Sequence, residues 1–392
     1  MGGCADHSPH FVVLGNPERP RIQYFQTALR QLGLAPATVI AYQDWLTQPH
    51  RLEHVLTPQT ILRIESPGRN FTVEKLILAQ GVTAAAAEAS PWIDAESALA
   101  LPEQPGRILY PRQWYLGFCQ VLAQLQTQIT QIGVSRWMAS PAEIPLLFDK
   151  ILCQALFQQQ QIPIPQPLGS ITCFDALINR LQATGCRRVF IKLAHGSSAS
   201  GVMALALQGP KIKAWTTVEV VSTGPTLQLY NSRKIQQYQD LSTIAAIVDQ
   251  LCRERVQVEA WVPKMGLNQQ SCDLRVVVIG GKARQAVVRL SHSPMTNLHL
   301  LNQRSSPEQL IARVGTAVWD QVLAYCEQVA QLFPHSLHLG VDVAVLSDHR
   351  RIKVLEANAF GDLLPQVTWR GLDTYTTEIK TVLQQLLPVN AL

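Results

Sequence analysis

Apolar positions near the start of the chain run together as Phe11-Val-Val-Leu-Gly15, which reads as a buried strand. From Arg21 to Gly33 they recur at Ile22, Phe25, Leu29 and Leu32, a helical spacing closed by a glycine, and Ala37 to Tyr42 returns to a strand. This strand–helix–strand opening predicts a small parallel sheet. Residues 81–110 are rich in Ala, Pro and Gly, have no clean period and predict no regular element. A Gln-dense helix over 113–132 follows, with Leu116, Val121, Leu122, Leu125, Ile129 and Ile132 along its apolar face.

A new unit is expected from Pro145, with a helix from Phe148 to Gln160 and a stiff extended link, Ile162-Pro-Ile-Pro-Gln-Pro167. Strands are predicted at Arg188–Lys192, Val202–Leu207, near 211–221 and 226–230, and at Val256–Val262, with a helix over 241–254 between them. Residues 274–291 read as a β pair turning at Gly280-Gly281. A helix is predicted over 307–332 and another over 372–387. The pattern is an α/β start followed by α+β lobes.

Two apolar, β-branched segments near the end, Leu339-Gly-Val-Asp342-Val-Ala-Val-Leu346 and Ile352-Lys-Val-Leu-Glu356-Ala-Asn358-Ala, flank the polar turn Ser347–Arg351. With the register centred on that turn, Asp342 falls opposite Glu356, and Asn358 lies further along the same face, among Ala344, Leu346, Ile352 and Val354. Carboxylates about 5 Å apart on such a face repel each other and lose hydration, and a hard divalent cation relieves both penalties. The hairpin is therefore a candidate Mg²⁺ shelf.

A length of 392 residues suggests two or three domains, and 16% charged residues argue against a disordered or coiled-coil chain. The net charge of +5 is thinly spread, without the dense basic stripe of a nucleic-acid binder. The cysteines at 4, 119, 153, 173, 186, 252, 272 and 326 form no Cys-x-x-Cys or zinc-spaced cluster, which fits a reduced, cytoplasmic protein. No apolar run is long enough to span a membrane. Met1-Gly-Gly-Cys-Ala-Asp6 has Asp6 where a myristoylation signal needs Ser or Thr, so it reads as a loose terminus.

Lys192 ends an apolar strand and precedes His195-Gly-Ser-Ser-Ala-Ser-Gly201. Such a Gly/Ser loop lets backbone N–H groups approach phosphate oxygens beside a lysine, although turns of this kind are also common without ligands. Here the chain resembles the ATP-grasp superfamily, through six segments in the expected order. These are Phe148-Asp149-Lys150 with Ile162-Pro-Ile-Pro165, Val189-Phe-Ile-Lys192 with Gly196–Gly201, and Val258-Glu259-Ala-Trp261-Val262. They continue as Asp273-Leu-Arg275 with Val288-Arg289, Asn297-Leu-His299, and Gly340-Val-Asp342 with Leu355-Glu356-Ala-Asn358, and they are most similar to the ribosomal-protein glutamate ligase and glutathione synthetase-like branch. The match covers about 145–387. Residues 1–140 resemble more faintly the Rossmann-like domain that precedes the grasp, and the expected units are 1–140, 141–262 (central lobe) and 263–392 (metal-bearing lobe).

The resemblance implies two α+β lobes clasping ATP, with Mg²⁺ (or Mn²⁺) as the metal. It implies that Lys150 and Lys192 contact the α- and β-phosphates and that Gly196, Ser197, Ser198 and Gly201 belong to a loop closing over them. It assigns Glu259 and the backbone through Ala260, Trp261 and Val262 to adenine, and Asp342, Glu356 and Asn358 to the metal. Arg275 and Arg289 would neutralise the transferring phosphoryl group, with Asn297 and His299 close to the substrate. The implied activity is an ATP-dependent carboxylate–amine ligase working through an acyl-phosphate, on small-molecule or peptide substrates, in a homodimer. Plainer readings stand beside these: Arg275 and Arg289 as structural partners of Asp273 or another carboxylate, Trp261 as packing, Lys150 as a helix-surface lysine. The family's glycine-rich turn after Asn-Leu-His is replaced by Leu300-Leu-Asn-Gln-Arg304. That departure argues for an alternative, a nucleotide-binding adaptor for protein partners, and phosphoryl transfer without amide formation is a third reading. The turn Glu65-Ser-Pro-Gly-Arg69 is a further candidate substrate contact.

Overall fold

The structure, a computed structural model, describes residues 9–209, 211–223, 226–360 and 363–385; the opening Met1–Asp6 and the end of the helix expected over 372–387 lie outside them. The N-terminal region contains β1 (His10–Gly15), α1 (Pro20–Gln31), β2 (Thr38–Ala41), α2 (Tyr42–Thr47), β3 (Thr60–Ile64), α3 (Phe71–Gln80), α4 (Val82–Ala86), α5 (Ala95–Ala100), α6 (Pro111–Ile132) and β4 (Arg136–Trp137). Its strands form a parallel sheet in the order β2-β1-β3-β4. Side chains alternate across it: Val12, Leu14, Leu62 and Ile64 join the core with Val73 and Ile77 of α3 and Phe118 and Leu125 of α6, while Phe11, Val13 and Ile61 pack with Ile22, Phe25 and Leu29 of α1. Contrary to expectation, 81–110 holds two short helices. The Ala run Ala84–Ala87 favours the first, and Asp94 caps the second by accepting from the Ser97 N–H at 2.8 Å.

The next stretch comprises α7 (Ile144–Phe148), α8 (Lys150–Gln159), α9 (Phe174–Thr184), β5 (Arg188–Leu193), β6 (Val202–Gln208), β7 (Lys211–Thr223), β8 (Thr226–Tyr238), α10 (Leu241–Cys252) and β9 (Val256–Ala260). The expected helix 148–160 breaks at Asp149, whose extended backbone and side chain cap α8 instead. The strands make an antiparallel sheet, β8-β7-β6-β5-β9, and β9 stops at Ala260, short of Val262. One face, including Val189, Ile191, Leu193, Met203 and Leu205, packs on Leu177 and Leu181 of α9 and Ile244, Val248 and Leu251 of α10, which gives this sheet a core of its own.

The remainder consists of β10 (Gly266–Leu267), β11 (Gln270–Ile279), β12 (Lys282–Ser291), β13 (Gln303–Ser305), α11 (Pro307–Val314), α12 (Thr316–Gln331), β14 (His338–Val345), β15 (Ile352–Asn358) and α13 (Thr374–Gln384). The sheet order is β13-β12-β11-β14-β15, with β10 on β11. Gly280 and Gly281 connect β11 to β12, with φ of 58° and 73°, the paired positive values a two-residue hairpin needs. The single helix expected over 307–332 is two, because Gly315 (φ 85°) ends α11 and redirects the chain into α12. Val276, Val288, Val341, Val343 and Val345 back onto Val322, Cys326 and Val329 of α12.

The opposite face of this sheet is divided. At one end Val277, Ile279 and Val287 pack with Phe11, Val13 and Phe25 of the first sheet's layer and with Tyr375 and Ile379 of α13. Arg63 crosses that junction fully buried, bound to Glu65 at 2.8 Å and Glu378 at 2.5 Å, with its guanidinium 4.6 Å from the Phe25 ring centre. The other end of the face is polar and opens toward the central sheet.

One buried acid outside the cleft makes stability depend on pH. Glu254, past the end of α10, accepts the Arg112 N–H at 3.2 Å, and burial pushes its pKa up to about 7. A carboxyl raised on folding contributes stability that is complete below its ordinary value of 4.5 and is lost as pH rises through 7. Urea unfolding at pH 5 and pH 8 should therefore show Glu254→Gln gaining on the wild type by on the order of 2–3 kcal/mol at the higher pH. Parallel pH dependence in the two proteins contradicts this.

Candidate active site

Strand alternation puts Phe190, Lys192, Val202, Ala204, Trp215, Gln257 and Glu259 on the face of the central sheet away from its helices. Lys192 and Glu259 are diagonal neighbours on β5 and β9, and the Lys192 ammonium donates to Glu259 Oε1 at 2.6 Å. Glu259 is buried, and its second oxygen accepts from Gln257 Nε2 at 2.7 Å and Gln154 Nε2 of α8 at 3.2 Å. Burial opposes the charge on Lys192, but Glu259, then Glu356, and Asp342 behind it, hold its pKa above the ordinary lysine value. Those last two carboxylates belong to the C-terminal hairpin, so the fold brings two distant segments to one cleft.

Lys150 arrives from the start of α8. Asp149 Oδ1 caps that helix, accepting from the Ile151 and Leu152 N–H groups at 2.9 and 3.1 Å, and Oδ2 lies 3.0 Å from His195 Nε2. Burial disfavours the Asp149 charge, yet the His195 hydrogen bond and charge, with the Leu152 N–H, bring its pKa down to about 2. The adjacent Lys150 N–H donates to Ala194 O at 3.1 Å and its ammonium to Gly196 O at 2.6 Å, 3.5 Å from Glu356 Oε1. Asp149 and Lys150 thus grip the entrance of the 195–201 loop from both sides. Within the loop, Ser198 and Ala199 take positive φ (53° and 62°), and Thr217 Oγ1 holds the Ala199 carbonyl at 2.7 Å.

The C-terminal hairpin has the expected pairing, Asp342 with Glu356 and Gly340 with Asn358, but the register slips by one beyond Asp342, so that Val343 faces Val354 and Val345 faces Ile352. Leu355 is the extra residue of this bulge. Ile352 and Val354 therefore point into the helix-side core with Val343 and Val345, not onto the acidic face as expected. Without the bulge, strict alternation would carry Glu356 into that same core.

Asp342 is not an uncompensated charge. Arg275 on the adjacent strand donates Nε to Oδ1 at 2.5 Å and Nη2 to Oδ2 at 3.1 Å, and Arg289 Nη1 reaches Oδ2 at 3.3 Å. Arg289 also donates Nε to Asp273 Oδ1 at 2.7 Å. Asp273 Oδ2 accepts from Lys264 Nζ at 2.9 Å and, through a short contact, from the Thr296 hydroxyl. Burial works against the Asp273 charge, and Arg289 with Lys264 overcomes it and drives its pKa far below the carboxylate range. Gly340 leaves space for the Arg275 guanidinium: a Cβ there would sit 2.7 Å from Nη1, which is buried and has no hydrogen bond. The expectation of an unpaired acidic pair is thus corrected, and the structural partnership of both arginines is present. No cluster of three or more His, Cys, Asp or Glu able to hold a metal occurs among the described residues; the hairpin offers two carboxylates and the Asn358 amide.

Trp261 packs edge-on against Phe190 and Trp215, at 5.5 and 5.8 Å between centres, as the plainer reading has it. The Ala260 and Trp261 N–H groups are already used by Gln166 O and Arg188 O. Asn297 caps the single turn Leu298–Leu300 by accepting the His299 N–H at 2.9 Å, and His299 Nδ1 lies 3.3 Å from Arg69 Nη2. Asn302 fixes this turn by donating to the Met295 and Asn297 carbonyls at 2.8 and 2.9 Å. Lys264, Thr296 and the Asp149–His195 pair were not legible as site residues. Only Asp149, an Asp directly before a helical period, carried a capping signal.

No family model matches the chain, and no curated protein matches it by sequence. Solved structures do match by shape. The ATP-grasp ligase PsnB, in complex with a phosphomimetic variant of a minimal precursor, Mg and ADP, superposes with a TM-score of 0.53 at 15% identity, over 96% of this chain and 98% of that one. The D-cycloserine synthetase DcsG gives 0.51 at 14% identity over 95% and 99%. The macrocyclase MdnC of Microcystis aeruginosa MRC, bound to the precursor peptide MdnA, gives 0.50 at 11% over 95% and 99%. No helix among the described residues is long and apolar enough to cross a membrane.

The Lys192–Glu259 pair generates a stability test. Lys192→Met leaves Glu259 buried without its cation and should destabilise the protein by about 3–5 kcal/mol. Lys192→Met/Glu259→Leu should regain most of that in chemical denaturation. A double variant no more stable than the single one contradicts the pairing.

Proposed function

The chain has the ATP-grasp fold, and we propose from this premise that it is an ATP-dependent carboxylate–amine ligase. The observation that carries the reading is the convergence of Lys150 and Lys192 on Glu356 and Asp342 from opposite sides of one cleft. In this reading the units 1–140, 141–262 and 263–392 supply the substrate side, the central lobe and the metal-bearing lobe.

The residues present suit MgATP. Lys150 and Lys192 would hold the α- and β-phosphates, and the 196–201 loop would cover them with backbone N–H groups. Glu259 and the backbone through Val262 would take the adenine edge. Asp342, Glu356 and Asn358 would ligate magnesium, which supplies charge neutralisation between phosphate oxygens when bound. The Lys150–Glu356 contact suits such an exchange, since Lys150 can turn to phosphate while Glu356 turns to the cation, with charge conserved.

Arg275 and Arg289 are fixed by Asp342 and Asp273. Held in this way they would stabilise the negative charge that builds as a substrate carboxylate oxygen attacks the γ-phosphorus and ADP leaves. An amine then attacks the acyl-phosphate carbonyl, phosphate departs, the nitrogen loses its proton, and an amide forms. Small-molecule and peptide substrates both suit an open cleft. The adaptor reading has one observation in its favour: Asp342 is already charge-balanced by two arginines without a metal.

ADP release measured with MgATP and a panel of acids and amines separates these readings. Glu356→Gln and Lys150→Met, with unchanged melting temperatures, should each lower turnover at least about 100-fold, the loss expected when a group stabilising transition-state charge is removed. Undiminished turnover in either variant rejects its assigned role. MgATP binding without turnover on any pair favours the adaptor.

A further inference from the structure

In the N-terminal sheet, β1 is flanked by β2 on one side and β3 on the other, and the helices that follow them lie on opposite faces: α1 packs with Phe11 and Val13, α3 with Val12 and Leu14. The chain therefore switches direction between β1 and β3. In an open α/β sheet a crevice forms at that point, outside the carboxyl ends of the strands. Two helix N-termini face it, those of α1 (12 residues) and α3 (10 residues), and each carries partial positive charge from its unbonded N–H groups.

The two loops lining the crevice are joined and cationic. The Asn16 side chain, buried, donates to the Pro67 carbonyl at 2.7 Å, and Asn70 donates to Glu18 Oε1 at 3.0 Å. Arg19 ends the first loop, Arg21 lies in the first turn of α1, and Arg69 comes from the second loop. They are close enough that, after burial, Arg69 and Arg21 are what lower the Arg19 pKa most. The neighbouring carboxylates are partly engaged: Glu65 binds Arg63 at 2.8 Å and lies 3.7 Å from Arg21, and Glu18 accepts from Asn70. The half-buried Arg19 guanidinium donates to no acceptor among the described residues.

The crevice also opens onto the reaction cleft. Arg21 Nη1 donates to the Phe360 carbonyl at 2.6 Å, two residues beyond Asn358, and Arg69 lies against His299. Like charges gathered beside two positive helix ends carry a standing repulsion that an anion would relieve. Glu18 and Glu65 offset part of the charge, which suits a singly charged carboxylate better than a phosphate dianion.

We propose that this crevice binds a carboxylate of the substrate through Arg19 and Arg69, with Arg21 and the two helix N-termini completing the site. This rests on the ligase reading for its substrate and deepens it: the substrate carries a carboxylate anchored here, apart from the one activated in the cleft. Guanidinium groups match carboxylates bidentately, so two of them fix orientation as well as affinity.

Isothermal titration of the full chain with tri-glutamate and tri-glutamine, both N-acetylated and C-amidated so that only the glutamate side chains carry carboxylates, with MgADP as a separate ligand, tests the site. Tri-glutamate should bind, tri-glutamine should bind at least about 10-fold more weakly, and Arg19→Gln and Arg69→Gln should each weaken tri-glutamate about 10-fold while leaving MgADP affinity unchanged. Arg69→Lys, which keeps the charge, should recover part of the loss. The site is overturned if tri-glutamate does not bind the wild type, if the neutral peptide binds equally, or if the Gln variants bind as the wild type does. Inorganic phosphate binding more tightly than tri-glutamate through the same arginines overturns the carboxylate assignment. Absent MgADP binding alongside arginine-dependent tri-glutamate binding supports the site and removes the ligase reading instead.

Discussion

Asp342, taken out of water between Arg275 and Arg289, is the interaction on which the C-terminal half depends. A carboxylate in that position folds only with cations at hydrogen-bonding distance, and each cation must itself be balanced. Arg289 is balanced by Asp273, which binds Lys264 and Thr296, which in turn ties the loop carrying Asn297 and His299 to the sheet. The chain of alternating charge therefore sets the position of the whole cleft wall. Its cost is desolvation, and its return is that no member can move without stranding a buried charge.

The Leu355 bulge does the complementary work on the edge strand. β15 needs Ile352 and Val354 in the core to hold the sheet on α12, and it needs Glu356 and Asn358 in the cleft. A regular strand delivers residues two apart to one face, so both demands cannot be met without an extra residue. The local kink is how an apolar strand presents a carboxylate to solvent only four residues after Ile352.

The central lobe solves a related problem from its own side. Its sheet keeps one face for α9 and α10 and leaves the other for Lys192 and Glu259, with the aromatic trio Phe190, Trp215 and Trp261 sealing the region around them. Asp149 couples a helix start to the 195–201 loop through His195, so that Lys150 and the loop entrance are positioned together. The N-terminal sheet brings its strand ends, and the arginines on them, to the same opening through Arg69 and His299. Three sheets thus contribute charge to one space.

Much of this was legible in local pattern. Period-two and helical spacing located the strands and most helices, the polar turn Ser347–Arg351 set Asp342 opposite Glu356, and Gly280-Gly281 announced its hairpin, because each depends on residues within one turn of chain. The order of short motifs was enough to indicate the fold. Other features were decided only by tertiary structure. The bulge at Leu355 follows from competing demands of two sheet faces. The second bond of Asp149, by which the start of α8 is tied to the loop, is to His195, lying 46 residues away. The pairing of Arg275 and Arg289 with Asp342 joins strands 53 to 67 residues apart. Local periodicity reports which way a side chain faces, but whether a buried charge is free or matched depends on what the fold sets against it, and that partner is rarely a sequence neighbour.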